Sequence, residues 1–155
     1  RQNFSGSFHL FTIQPYLTRS PINPRPFTLN ENKLANILIV DDSKDLQECF
    51  SALLSFKNYT VETASSGSTL YNAMLTFRPD LVLMDVKLRA ENGRNLCSHL
   101  KQSSGTSDIP VILISANPEL LHDYRQCSAD DVLEKPFGMD VLCEKIERLL
   151  RFKRD

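Results

Sequence analysis

The sequence contains the segment Ile37-Leu38-Ile39-Val40-Asp41-Asp42, in which four consecutive apolar residues are followed at once by two aspartates. A short apolar run that ends in turn-forming residues is typical of a β-strand that is buried on both faces. The same arrangement recurs at residues 81–85, LVLMD, and at residues 111–115, VILIS. Strands of this kind occur in parallel sheets, whose two faces are covered by helices.

The segments between these strands have the apolar spacing of helices. Ser43 is a suitable N-cap, and after it apolar residues recur at the i, i+4, i+7 and i+8 positions, namely Leu46, Phe50, Leu53 and Leu54. Further helices are predicted over residues 68–77, 95–101, 119–126 and 139–151, and shorter strands over residues 59–63 and around residues 132–133. The sequence therefore predicts an α/β fold, a doubly wound five-stranded parallel sheet of (βα)5 type.

Composition places the chain among ordinary globular proteins and excludes several classes. It has 155 residues, of which 41% are apolar and 24% charged, enough for one domain with its own core. The net charge of -1 gives no broad basic field, so direct nucleic-acid binding is not indicated. The apolar runs are too short to span a bilayer and no secretory signal is visible, so we expect no membrane contact and a cytoplasmic location.

The cysteines and the charge distribution refine this description. Four cysteines without a CxxC pair argue against a disulfide framework or a zinc site. Half of the eight prolines lie in the first 26 residues, and residues 1–33 carry a net charge of +3, whereas the remainder carries -4. We therefore expect a Pro-rich, flexible leader or linker over residues 1–33 and one globular domain over residues 34–155.

Polar residues follow each of the main strands at the point where it ends. Asp41-Asp42, Asp85, Ser115 and Lys135-Pro136 come after the first, third, fourth and fifth strands. In open α/β sheets the ligand site lies outside the carboxyl ends of the strands. Each residue alone has a more ordinary explanation as a cap, a turn or a solvated side chain. Their joint arrangement predicts a functional site at this edge of the sheet.

The strings ILIVDD, DLVLMD, PVILISA and ADDVLEKPF resemble, in order and spacing, the response-regulator receiver domain, the phosphoacceptor module of two-component signalling. The resemblance extends over residues 35–152. It implies the flavodoxin-like strand order 2-1-3-4-5. With that order Asp41, Asp42 and Asp85 lie close together, Ser115 comes next along the edge, and the long side chain of Lys135 can reach back to them.

The resemblance also implies a magnesium site and a nucleophile. Three neighbouring carboxylates repel one another unless a cation is present, and Mg²⁺ prefers oxygen ligands. By resemblance, Asp42 and Asp85 are direct ligands, Asp41 acts directly or through water, and the Lys87 backbone carbonyl is a further ligand. Asp85 is the expected phosphoacceptor, attacking a phosphohistidine of a histidine kinase or phosphotransfer protein.

The remaining roles follow from the same resemblance. The Ser115 hydroxyl, the Ala116 backbone N–H and the Lys135 ammonium are expected to bind the phosphoryl oxygens, and the Lys135–Pro136 peptide bond is expected to be cis. Water later removes the phosphoryl group, so the state is temporary. The protein is thus expected to be a signalling phosphoacceptor rather than an enzyme. It is expected to signal through protein contacts, including a possible homodimer through the face of the fourth helix, fifth strand and fifth helix.

Two positions depart from the family pattern. Val132 stands where the family commonly has an aromatic residue that rotates inward. Because valine has no ring, such a rotation cannot signal the state of the site in this chain. Arg89 stands four residues after Asp85, where the family frequently has proline. Gly93, in contrast, occupies a position at which the family usually has glycine.

Three alternatives remain open from the sequence. A Mg²⁺-dependent phosphohydrolase of the haloacid dehalogenase type also uses an Asp nucleophile but needs a second Asp where Lys87 stands. A nucleotide-binding domain lacks support because neither GxGxxG nor GxxxxGK[ST] occurs. The third alternative is a receiver-like interaction module that works without phosphate. The departures from the family pattern at Val132 and Arg89 leave this alternative open. The sequence also leaves open whether this is a stand-alone regulator or the receiver of a hybrid kinase.

Overall fold

The structure, a computed structural model, describes residues 35–152, so the leader expected over residues 1–33 lies outside the described part of the chain. The elements in chain order are β1 (Asn36–Val40), α1 (Lys44–Phe56), β2 (Thr60–Ala64), α2 (Gly67–Thr76), β3 (Leu81–Asp85), α3 (Gly93–Gln102), β4 (Val111–Ser115), two 3₁₀ turns (Pro118–Leu121 and Tyr124–Cys127), β5 (Asp131–Glu134) and α4 (Met139–Phe152).

The five strands form one parallel sheet in the order β2-β1-β3-β4-β5, as the resemblance implies. The register aligns the strand ends. Val40 is paired with Met84, and one residue further along β3 Asp85 is paired with Ile114 of β4. The residues that follow Val40 and Asp85 therefore leave the sheet at the same edge.

Side-chain alternation along the strands divides the core into two layers. Leu38, Val82 and Leu113 point to the face covered by α2, α3 and the 3₁₀ turns. Ile37 and Ile39 point to the opposite face, which is covered by α1 and α4. Because both faces are covered, residues 37–40, 81–84 and 111–114 of the three central strands are all apolar, and burial of this surface is the main stabilising contribution.

Capping side chains fix where the helices begin. The Ser43 hydroxyl accepts a hydrogen bond from the Leu46 N–H at the start of α1, as the sequence predicts. Asn92 Oδ1 accepts from the Arg94 N–H at 2.9 Å, so α3 begins two residues earlier than its apolar spacing alone predicts.

The predicted helix over residues 119–126 is wrong. The segment forms two 3₁₀ turns, with Asp123 between them in the left-handed region at φ 39°. Its inward-facing residues Leu121, Tyr124 and Cys127 are three apart, which matches the 3.0 residues per turn of a 3₁₀ helix and not the 3.6 of an α-helix. The face expected to contain a fourth helix therefore consists of the two 3₁₀ turns, β5 and α4. Within residues 35–152, no helix combines the length and apolar character needed to cross a membrane.

Gly93 allows α3 to start directly against the end of β3. A Cβ atom added at Gly93 would lie 2.1 Å from the Asp85 carbonyl oxygen, whereas one added at Gly105 would meet no atom within 4 Å. The Gly93 N–H also donates to the Val86 carbonyl at 2.9 Å. The absence of a side chain at Gly93 therefore helps to position Asp85.

We predict that Gly93→Ala lowers the free energy of unfolding by about 1–3 kcal/mol, because the added methyl group must displace the backbone at the end of β3. Urea unfolding followed by circular dichroism measures the change. Gly105→Ala is the matched control and should leave stability nearly unchanged. Equal stability of the two variants would show that the close packing at Gly93 is not required.

Candidate functional site

The carboxyl ends of β1, β3, β4 and β5 surround a cavity of about 390 Å³. All seven residues that the sequence singled out for direct roles line it, namely Asp41, Asp42, Asp85, Lys87, Ser115, Ala116 and Lys135. They are spread over 95 positions of the sequence (Asp41 to Lys135) and meet only because the parallel strands end at one edge of the sheet.

The Lys135 ammonium joins the ends of three strands. Its Nζ atom lies 3.0 Å from Asp41 Oδ2 and 2.7 Å from Asp85 Oδ1. The three side chains are only 19%, 6% and 12% exposed. Burial alone lowers the pKa of Lys135, but its hydrogen bonds to Asp85 and Asp41 outweigh that effect, so its pKa is raised above the ordinary value. Lys135 is therefore a permanent cation at physiological pH.

Backbone N–H groups orient the same two carboxylates. Asp41 Oδ1 accepts a hydrogen bond from the Ser43 N–H at 2.9 Å, and Asp85 Oδ2 accepts one from the Lys87 N–H at 2.7 Å. In each carboxylate, one oxygen thus accepts a hydrogen bond from a backbone N–H and the other accepts one from the Lys135 ammonium. These charge-assisted bonds fix the direction of the Asp85 side chain at the cavity wall.

Asp42 has a different partner. Its Oδ2 atom lies 3.4 Å from Nε of Arg89 in the loop between β3 and α3, and the two side chains are 28% and 86% exposed. Pairing at this exposure contributes little to stability. The contact nevertheless places a second cation, the Arg89 guanidinium, beside the acidic residues.

Ser115 ends β4 with its side chain in the cavity wall, and the residue is 3% exposed. Its Oγ atom accepts a hydrogen bond from the Asn117 N–H at 3.1 Å, and its carbonyl accepts from the Lys135 N–H at 2.8 Å. The Lys135–Pro136 peptide bond is cis, in agreement with the expectation from the sequence. Val132 packs on the core layer that also holds Leu120 and Tyr124 of the 3₁₀ turns.

Four further residues line the cavity without having been predicted to do so, namely Ser43, Leu46, Asn117 and Leu120. Ser43 was expected only as a helix cap, yet its N–H also holds Asp41. Asn117 caps the first 3₁₀ turn through Oδ1, and the position of Leu120 depends on that turn. Asn117 directly before Pro118 is the sequence signal of a capped helical turn, whereas the position of Leu120 carried no such signal.

The donor chemistry of the cavity fits Mg²⁺. Asp41, Asp42 and Asp85 all line the cavity, and hard carboxylate oxygens are ligands that Mg²⁺ prefers. In residues 35–152, however, no three His, Cys, Asp or Glu side chains converge closely enough to hold a metal ion. Asp41 and Asp85 are turned to Lys135, and Asp42 is turned to Arg89.

Comparison with known proteins identifies the family. The family model for the response regulator receiver domain matches residues 37–147. The chain belongs to this family. The response regulator MprA of Mycolicibacterium vanbaalenii is 32% identical over 117 residues, a match that covers 74% of this chain and 50% of the relative. The chain thus spans about half the length of the curated relatives that it matches.

Solved structures agree with this assignment. The signal receiver domain of a signal transduction histidine kinase from Syntrophus aciditrophicus is 32% identical with a TM-score of 0.70, and the match covers 76% of this chain and 91% of that one. The response regulator TrrA of Thermotoga maritima, solved in complex with Mg²⁺ and BeF, is 25% identical with a TM-score of 0.67, covering 75% and 99%. The protein contains a receiver domain of the two-component type, and receivers in general work with histidine kinases.

We predict that Lys135→Gln lowers the free energy of unfolding by about 2–4 kcal/mol at neutral pH, because it leaves two largely buried carboxylates without their cation. Chemical denaturation measures the loss. The exposed Lys57 at the end of α1 supplies the control, and Lys57→Gln should change stability by less than about 0.5 kcal/mol.

The stabilising effect of Lys135 should also depend on pH in one direction. Since its pKa is raised above 10.5 in the folded protein, the difference between the wild type and Lys135→Gln should be constant from neutral pH up to about that value. It should then shrink as the pH rises through the folded-state pKa. A difference that grows in alkaline solution would contradict the ion pairing described for Lys135.

Proposed function

We propose that the domain accepts a phosphoryl group on Asp85 from the phosphohistidine of a histidine kinase or a phosphotransfer protein, and that Mg²⁺ assists this transfer. The observation that carries the proposal is the Lys135 ammonium 2.7 Å from Asp85 Oδ1, in a cavity that also contains Ser115. Here a carboxylate nucleophile, a cation and a hydroxyl face the same space. That combination suits phosphoryl transfer, in which positioning and charge neutralisation contribute most of the catalysis.

In the proposed step a carboxylate oxygen of Asp85 forms a bond to phosphorus. The bond between phosphorus and the donor imidazole nitrogen breaks, and the nitrogen keeps the electron pair. Lys135, the Ser115 hydroxyl and the Ala116 N–H are proposed to neutralise or hydrogen-bond the phosphoryl oxygens. Hydrolysis by water later returns Asp85 to a carboxylate. This chemistry concerns only the domain itself, and we do not assign it turnover of other substrates.

Mg²⁺, when bound, supplies positive charge beside the phosphoryl oxygens. The residues proposed to hold it are Asp42 and Asp85 directly, Asp41 directly or through water, and the Lys87 backbone carbonyl. The shared cavity and the hydrogen bond that fixes Asp85 next to Lys87 support this set. Asp41 then has a double role, because it also anchors Lys135.

The output is proposed to pass through protein contacts. Val132 has no ring to rotate, so we propose that the signal leaves through Ser115, whose Oγ accepts from Asn117 at the start of the first 3₁₀ turn. The face of the 3₁₀ turns, β5 and α4 is the proposed output surface, and a homodimer through it is one form of that output. We propose no direct contact with nucleic acid or membrane. A cytoplasmic location is proposed because the cysteines in residues 35–152 are free thiols.

We predict that incubation with Mg²⁺ and acetyl phosphate increases the intact mass by one phosphoryl group, and that Asp85→Asn abolishes the increase because the nucleophile is removed. Asp108→Asn changes an exposed aspartate and is the matched control, which should be phosphorylated like the wild type. Intact-mass spectrometry gives the readout.

The same experiment separates the alternatives. An adduct that persists in Asp85→Asn would overturn Asp85 as the phosphoacceptor. Turnover of unrelated phosphate esters would favour the phosphohydrolase, although Lys87 occupies the position where that family needs its second aspartate. No adduct with the wild type would favour a module that works without phosphate.

A further inference from the structure

The loop between β3 and α3 is fixed at its base on both sides. Lys87 and Asn92 pair in an antiparallel bridge, which closes the loop on itself. Glu91 Oε2 accepts a hydrogen bond at 2.6 Å from the Gly67 N–H in the first turn of α2, so the far side of the loop is held to a second element. Arg89 lies between these contacts, and its backbone is therefore held close to the acidic cavity.

Arg89 extends from this loop to Asp42. Asp42 has one ion pair in the part of the chain that the structure describes. Its partner is the Nε atom of Arg89, at 3.4 Å. Arg89 also lines a second, polar cavity of about 680 Å³, which shares Asp42 and Ser43 with the cavity that contains Asp85. The guanidinium thus stands beside Asp42 of the proposed metal site.

The three carboxylates of the site pair with two internal cations that differ in exposure. Lys135 is largely buried and bridges Asp41 and Asp85. Arg89 is largely exposed and pairs with Asp42 alone, so its contact is the easier of the two to break. A divalent cation that binds Asp42 through Oδ2 must displace this contact, and one that binds through Oδ1 is still repelled by the nearby guanidinium.

We propose that Arg89 is a positioning residue that acts through Asp42 as a built-in counterion, so that it competes with Mg²⁺ and raises the Mg²⁺ concentration needed to fill the site. This inference rests on the proposed magnesium site. It assigns a function to the charge of Arg89, since an uncharged residue at this position would leave Asp42 without this competitor.

The experiment measures Mg²⁺ binding directly, from amide chemical shifts in ¹⁵N NMR spectra recorded over a series of Mg²⁺ concentrations. Arg89→Gln removes the charge and keeps a polar side chain of similar reach, and it should tighten Mg²⁺ binding about three- to tenfold at low ionic strength. Arg89→Lys retains the charge and should stay close to the wild type. Arg151→Gln removes an exposed arginine that pairs with Glu147 on α4 and should have no effect.

Salt gives an independent readout of the same mechanism. The ratio of the Kd values of the wild type and Arg89→Gln should fall towards one as NaCl is added, because exposed charges are screened. A purely steric effect of Arg89 would not respond to salt in this way.

Each outcome has a definite meaning. If Arg89→Gln binds Mg²⁺ as the wild type does, or more weakly, the counterion role is overturned. If Arg89→Lys tightens binding as much as Arg89→Gln does, charge is not the cause and the proposal is likewise overturned. If the wild type shows no Mg²⁺-dependent shifts at residues around Asp42, the proposed magnesium site itself fails, which is a distinct result.

Discussion

The site depends on one interaction, the bridge from the Lys135 ammonium to the carboxylates of Asp41 and Asp85. Parallel strands bring their carboxyl ends to a single edge, and in this sheet that edge collects three aspartates. Buried like charges are unfavourable unless a cation compensates them. Lys135 supplies that cation from the end of β5, and the same contact leaves the Asp85 side chain fixed at the wall of a cavity.

The sequence predicted the sheet and its two core layers, because these depend on which strand residues are buried and on the alternation of side chains along each strand. Continuous apolar strands can only be buried on both faces, so the sheet and its layers followed from residues 37–40, 81–84 and 111–114. The gathering of site residues followed from the strand order, which came from the family resemblance. The segment between β4 and β5 was not predictable in the same way. Leu121, Tyr124 and Cys127 fit a 3₁₀ spacing only in hindsight, because Asp123 breaks the α-helical path by adopting a left-handed conformation.

Side-chain pairings were the other feature that the sequence did not reveal. Lys135 was expected to reach back towards the aspartates, but its simultaneous contact with Asp41 and Asp85 depends on the exact positions of three strand ends. Arg89 was visible only as a departure from the family pattern. Its pairing with Asp42 follows from how the β3–α3 loop is anchored through Glu91 and Asn92, contacts that come from a distant helix and from the loop itself.

Asp85 is the proposed carrier of the phosphoryl group, and chemical trapping can locate the modified residue. The protein is phosphorylated with acetyl phosphate and Mg²⁺ and then reduced with borohydride, which converts an aspartyl phosphate to homoserine. Peptide sequencing by mass spectrometry finds the converted residue. Homoserine is expected at position 85 and at no other aspartate. Homoserine at position 41 or 42, or a phosphoryl group on a serine or histidine, would contradict it.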